Sequence, residues 1–155
     1  MKLRNILQKT SILIDLKATD KNDLLTQMAT YLATLYEIKD PPFIVNKVLE
    51  REAEMSTGIG YGIAIPHARI DSIDHVYIIA GRVLAGIEYN AIDEQPVYII
   101  FLMLSPANTS NEHTQMLSTL SRIMSYEDIR KGLLESPDAE TFLTLLINAE
   151  DKYVE

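Results

Sequence analysis

His67 closes an apolar run, Ile63-Ala64-Ile65-Pro66, which follows three alternate glycines, Gly58, Gly60 and Gly62, with Ser56 and Thr57 directly before them. A histidine with an ordinary pKa near 6.5 is largely neutral at neutral pH, so its imidazole is a nucleophile that needs no strong base. Glycines reach positive φ and let successive backbone N–H groups turn toward an anion, and the hydroxyls of Ser56 and Thr57 stand beside them as further donors. The apolar run reads as a short buried strand that Pro66 ends by removing a donor and fixing φ, which gives His67 a stiff mount. Together these residues describe an imidazole next to a loop able to hold a phosphoryl group. A plain tight turn is the alternative, because G-x-G-x-G lacks the lysine of a P-loop and the spacing of a dinucleotide fingerprint.

Two further positions carry the same kind of chemistry. His113 falls in the first turn of a helix expected to begin near Glu112, where unpaired N–H groups and the positive dipole end favour an anion and lower a histidine's pKa. An ordinary polar helix start reads equally well there. Arg51 and Glu52 end the helix before the glycines, and by themselves they read as a solvated terminus. His75, at the start of a strand, receives no role.

The elements that must position these residues follow from periodicity and turn chemistry. Residues 3–7 read as a helical turn, and residues 11–16 alternate as a strand. Asp20 caps a helix whose Leu24, Leu25, Met28, Ala29, Leu32, Leu35 and Tyr36 share one face. Asp40-Pro41-Pro42 begins a second helix with Phe43, Val45, Val48 and Leu49 inward and Asn46, Lys47 and Glu50 outward. Residues 71–74 make a loop, residues 76–80 a buried strand, and residues 81–87 extend or bend it. Turn chemistry at 93–96 leads into the most apolar stretch, 97–104, expected to be a central strand buried on both faces. A polar loop over 107–111 precedes the helix that carries Met116, Leu117, Leu120, Ile123 and Met124 inward. Two helices close the chain, one over 126–134 and one capped at Ser136-Pro137-Asp138 that runs to about Ala149. Strands alternating with helices, some paired as hairpins, give an α/β fold: a mixed β-sheet flanked by helices on both faces. No linker, repeat or low-complexity segment interrupts it, so residues 1–155 are expected to be a single domain.

Composition narrows the function. The chain has 155 residues, 47% of them hydrophobic, which suffices for one substantial core. A net charge of −8 argues against a nucleic-acid surface. No apolar run approaches the roughly 20 residues that span a bilayer, and no signal-peptide core follows Met1-Lys2-Leu3-Arg4, so a cytoplasmic chain without membrane insertion is expected. With no cysteine there is no disulfide or thiolate chemistry, and no cluster suggests a structural zinc; neither a metal nor a cofactor is expected.

Arg51-Glu52 followed by STGIGYGIAIPHARI resembles the enzyme IIA domain of the mannitol/fructose class in the bacterial phosphoenolpyruvate-dependent phosphotransferase system. The stretch NAIDEQPV at 90–97, then an apolar strand, then His113 heading a helix, resembles the nitrogen-regulatory branch of that family more than the sugar-transporting branch. The resemblance covers nearly the whole chain. It implies a phosphotransferase component that accepts a phosphoryl group from an HPr-like phosphocarrier protein on His67 as a phosphohistidine. It also makes His113 a second histidine that stabilises the phosphoryl group and Arg51 a contact to its oxygens, with Ser56, Thr57, Gly58 and Gly60 as the phosphate-binding loop. Regulated target proteins, such as potassium-transport or stress-signalling components, are the implied output; the alternative is a fructose- or mannitol-specific component that passes its phosphoryl group to an EIIB protein. Thr114, where the family has an apolar residue, and Tyr61, where it often has a smaller polar one, leave room for a binding module that has lost transfer. A metal-dependent hydrolase built on His67 and His113 offers two ligands where a catalytic metal takes three.

Overall fold

The computed structural model describes residues 1–108 and 111–154. At the centre of its sheet, β5 (Tyr77–Ile87) and β6 (Val97–Pro106) pair antiparallel, with Ile79 opposite Leu102 and Gly81 opposite Ile100. The remaining elements are α1 (Leu3–Ile6), a 3₁₀ turn (Lys9–Ser11), β1 (Ile12–Leu13), α2 (Lys21–Leu35), α3 (Pro41–Glu54), β2 (Gly58–Gly60), β3 (Ile63–Ala64), β4 (His67–Ile70), α4 (Asn111–Met124), α5 (Glu127–Glu135) and α6 (Ala139–Tyr153). The sheet order is β1-β5-β6-β3-β2, and β4 also pairs with β6. Parallel pairs (β1 with β5, β3 and β4 with β6) and antiparallel pairs coexist, so the sheet is mixed, as expected.

Alternation along β5 and β6 divides the core in two. Ile79, Ile100, Leu102 and Leu104 face α2 and α3 and pack with Leu24, Leu25, Met28, Ile44 and Val48. Ile78, Ala80, Ile99, Phe101 and Met103 face the other way, onto α4, α5 and α6 through Met116, Leu120, Leu133, Phe142 and Leu146. Successive strand side chains point to opposite faces, and β6 is apolar at both sets of positions because helices cover both. The caps read from sequence are present. Asp20 accepts from the Asp23 N–H at 2.8 Å, Asp40 from Phe43 N–H at 3.4 Å, and Asp138 from Thr141 N–H at 2.8 Å.

Several boundaries differ from the expectation. The strand read over 11–16 shrinks to Ile12–Leu13, because Ser11 closes a 3₁₀ turn in which its hydroxyl accepts from Gln8 N–H. Residues 81–87, by contrast, extend β5 as expected, with a shift of register between Arg82 and Ile87. Arg82 is buried there, and its guanidinium donates to the carbonyls of Leu133 and Ser136, which satisfies the C-terminal end of α5. Helix α6 runs past Ala149 to Tyr153, since buried Glu150 accepts from Leu3 N–H and Tyr153 stacks on Tyr126. Part of the loop read over 107–111 falls on residues 109 and 110, outside the described residues.

The strand that carries His67 is the main correction. The run before it does stop short of Pro66, but a new strand begins directly after, at His67. Ile63 and Ala64 pair with Ile99 and Ile100, the ladder breaks for two residues, and His67 to Ile70 resume it opposite Met103 to Pro106. Proline lacks the N–H but keeps its carbonyl, which accepts from Met103 N–H at 3.0 Å, so the chain stays on the edge of β6 through the break.

One buried carboxylate fixes the end of α3 against this sheet. Glu52, 6% exposed, accepts from the Thr57 N–H at 2.7 Å, the Thr57 hydroxyl and the Tyr89 hydroxyl at 3.1 Å, and pairs with Lys21 at 2.8 Å. Glu50, two residues earlier on the same helix, is exposed. Removing one member of a buried, paired network leaves the others unsatisfied. Urea unfolding of a Glu52→Ala protein is therefore expected to show a loss of about 3–5 kcal/mol, whereas Glu50→Ala stays within about 0.5 kcal/mol of the unaltered chain.

Candidate functional site

The break in the β3–β4 strand turns the His67 imidazole so that its Nδ1 lies 2.8 Å from the carbonyl oxygen of Ile65. A carbonyl only accepts, so in the neutral ring Nδ1 carries the proton and Nε2 keeps the lone pair. The ring is half-buried and lies 5.2 Å, centroid to centroid, from that of His113, in an edge-on arrangement at 71°. His113, in the first turn of α4, is 6% exposed, and its Nδ1 sits 2.7 Å from the buried Ser105 hydroxyl at the end of β6.

These two rings form one wall of a cleft of about 260 Å³, which Ala68 and Arg69 of β4 also line. The opposite wall is one face of α3, made of Lys47, Glu50, Arg51 and Glu54. Arg51 is half-buried and donates through Nη1 to the carbonyl of Met55 at 3.1 Å. The Arg51-Glu52 pair thus does not read as a solvated terminus. Neighbouring residues on a helix point about 100° apart, and here one goes to the cleft while the other goes into the core.

Burial pushes the His67 pKa below its ordinary value; the Ile65 carbonyl opposes that, Arg51 lowers it further, Glu52 opposes, and Arg69 lowers it again. His113 is pushed down to about 4, first by burial and then by Arg69, His67 and Arg51. Both rings are therefore neutral at neutral pH, and the local positive charge comes from the arginines and Lys47.

The structure brings His67, His113 and Arg51 together, but it does not bring the glycine loop to them. Thr57 is buried with its N–H and hydroxyl given to Glu52. The Gly58 N–H donates to the Ser56 hydroxyl at 3.2 Å, and that hydroxyl donates to the Tyr89 carbonyl. Ser56, Thr57, Gly58 and Gly60 stand outside the cleft lining. The glycines answer to packing and turning instead. A Cβ on Gly58 would come within 2.6 Å of Ala91 Cβ, and Gly60 takes a φ of 98° on the way into the turn before β3.

Four cleft residues carried no role in the sequence reading, although their spacing held the signal. Arg69 lies two residues after His67, hence on the same side of a strand. Lys47 lies four before Arg51, and Glu50 and Glu54 are four apart on the same helix face. Among the described residues, no group of three or more His, Asp or Glu is arranged to hold a metal, and no helix is long and apolar enough to cross a membrane.

Comparison with known proteins matches residues 5–149 to the profile of the phosphoenolpyruvate-dependent sugar phosphotransferase system, EIIA 2. The fructose-specific EIIABC component of Bacillus subtilis is 35% identical over 152 residues, 98% of this chain and 24% of that protein, so the chain spans about a quarter of that relative's length. The fructose-specific EIIA component of Haloferax volcanii is 38% identical over 109 residues, which cover 70% of this chain and 71% of that one. Among solved structures, nitrogen regulatory protein IIA-Ntr of Neisseria meningitidis superposes with a TM-score of 0.87 at 29% identity, covering 92% of this chain and 97% of that one.

The low pKa of His113 has a thermodynamic consequence. An unfolded chain takes up that proton near pH 6.5 and the folded chain only near 4. Between those values the unfolded state binds more protons, so stability rises with pH across the window and is lost as pH falls from 6.5 toward 4. Urea unfolding at several pH values between 4 and 7 is expected to show this slope, and a shallower one in a His113→Asn protein.

Proposed function

We propose that this chain, which belongs to the phosphoenolpyruvate-dependent sugar phosphotransferase system EIIA 2 family, carries a phosphoryl group on Nε2 of His67, taken from the phosphohistidine of an HPr-like carrier protein. The observation that supports it most is the 2.8 Å contact between His67 Nδ1 and the Ile65 carbonyl. It occupies one ring nitrogen with a proton and leaves the other as a lone pair on a residue that lines the cleft.

In the transfer, the Nε2 lone pair attacks phosphorus as the phosphorus–nitrogen bond to the carrier's imidazole breaks, and the carrier's ring, whose other nitrogen already bears a proton, keeps that electron pair and leaves as a neutral imidazole. His67 keeps its Nδ1–H on the Ile65 carbonyl throughout, so the phosphorylated ring is held by the same contact. Donor and product are both phosphoramidates, and the protein's task is to position the groups and stabilise charge on the phosphoryl oxygens. Arg51 supplies a permanently charged fork that matches those oxygens. His113 supplies a second polar contact from the neighbouring ring. The lowered pKa of His67 keeps its imidazole neutral and nucleophilic at neutral pH.

The reading treats residues 1–155 as one EIIA domain that works in the cytoplasm with its carrier. Its output is read as regulatory, through target proteins whose binding depends on phosphorylation of His67; the close superposition on a nitrogen regulatory protein supports this. The identities of 35% and 38% to fructose-specific components favour a second reading, delivery of the phosphoryl group to an EIIB protein for sugar uptake.

Incubation with phosphoenolpyruvate, enzyme I and the HPr-like carrier is expected to add one acid-labile phosphoryl group by intact-mass spectrometry, and a His67→Ala protein should remain unmodified. Arg51→Ala and His113→Ala are each expected to slow transfer by about 10²–10³-fold, the usual effect of losing one charge-stabilising donor. An adduct that persists in His67→Ala would refute the assignment. Rapid discharge of the phosphorylated chain to a fructose-class EIIB protein would select the sugar reading over the regulatory one.

A further inference from the structure

Strand β6 is apolar from Val97 to Leu104, and the first hydroxyl after that run, Ser105, is completely buried, opposite Arg69 of β4. Its Oγ lies 2.7 Å from Nδ1 of His113. We infer that Ser105 is a positioning residue: its hydroxyl donates to His113 Nδ1 and holds that imidazole in the tautomer whose other nitrogen, Nε2, carries the proton.

Only one proton lies between Oγ and Nδ1, and burial decides whose it is. If His113 donated, the serine's own proton would need a second acceptor in a place closed to water, whereas among the described residues that hydroxyl meets His113. A buried donor left unpaired is costly, whereas an unused lone pair on an oxygen that already makes one bond costs less. When Ser105 donates, its proton and Nδ1 are both satisfied, and the ring's remaining proton sits on Nε2 of a residue that lines the cleft.

The two histidines then have opposite polarity, each set by a different partner. The Ile65 carbonyl takes the Nδ1 proton of His67 and leaves a lone pair at Nε2; the Ser105 hydroxyl fills Nδ1 of His113 and leaves an N–H at Nε2. An N–H stabilises phosphoryl oxygens, and a second lone pair would repel them. The tautomer matters because His113, its pKa pushed down to about 4 in the unphosphorylated chain, meets an incoming phosphoryl group at neutral pH as a neutral ring with a single N–H to offer. The consequence for transfer rests on the phosphocarrier reading, but the tautomer itself does not.

The test is long-range proton–nitrogen NMR of the chain labelled with ¹⁵N-histidine, at pH 7 and without any phosphoryl donor. The inference expects His113 Nε2 in the protonated range and Nδ1 in the unprotonated range; the reverse assignment overturns it. A Ser105→Ala protein is expected to show a resolvable fraction of His113 protonated at Nδ1, and to accept phosphoryl groups about ten-fold more slowly. Ser105→Thr, which keeps the hydroxyl, should restore both. An unchanged tautomer in Ser105→Ala overturns the inference whatever the rate, and should that protein fail to fold, the spectra of the unaltered chain still decide. Failure of the unaltered chain to accept a phosphoryl group would count against the proposed function, while the donor-free spectra judge the role of Ser105 separately.

Discussion

The parallel pairing of β4 with β6 is the constraint on which the site depends. It puts His67 opposite Met103 and Arg69 opposite Ser105, so one register sets where the first imidazole stands and which residue of β6 reaches the second. A slip of one residue would turn every side chain of β4 to the other face and would carry His67 out of the cleft. The register is held because β6 is buried on both faces, and its inward residues belong to two separate packed cores. The break at Ile65-Pro66 adds what a regular strand would not supply, a backbone carbonyl placed to receive the His67 Nδ1 proton.

Around that strand, charge is arranged so that the histidines stay neutral beside Lys47, Arg51 and Arg69, with Glu50 and Glu54 also on the cleft wall. Burial does most of this. It lowers the pKa of both rings, and the arginines of α3 and β4 lower them further. Keeping two imidazoles neutral beside guanidinium groups gives up some stability at acidic pH, and leaves rings with the protonation that the proposed transfer needs at neutral pH. The one anion set deep nearby, Glu52, is directed away from the cleft and satisfied by Thr57, Tyr89 and Lys21. It serves as the tie between α3 and the start of β2, and so keeps Arg51 on the cleft side of its helix.

How far the sequence was legible depended on how local the signal was. Helix caps at Asp20, Asp40 and Asp138 act within four residues, and they were readable. The central place of β6 followed from its unbroken apolar run. Pro66 marked the break, because proline forbids one ladder bond; that its carbonyl would keep the chain on β6 and let a new strand begin required knowing that Met103 lay alongside. The glycines were ambiguous. Their freedom suits an anion loop and a close approach equally well, and only the neighbour, Ala91 against Gly58, shows the close approach.

The sequence by itself determined the layered α/β architecture and the strand and helix order, because periodicity and caps are written along the chain, and it singled out His67 by its place after the glycines and the apolar run, while His113 and Arg51 drew attention through the family resemblance. Tertiary structure decided which of the expected donors share a cleft, that Glu52 turns inward while Arg51 turns outward, and which residues fill the Nδ1 positions of the two imidazoles. Those are contacts that run from 2 positions along the chain, Ile65 to His67, to 37, Glu52 to Tyr89, and they depend on the pairing of β4 with β6. Their energies depend on burial and register, which no short window of sequence contains.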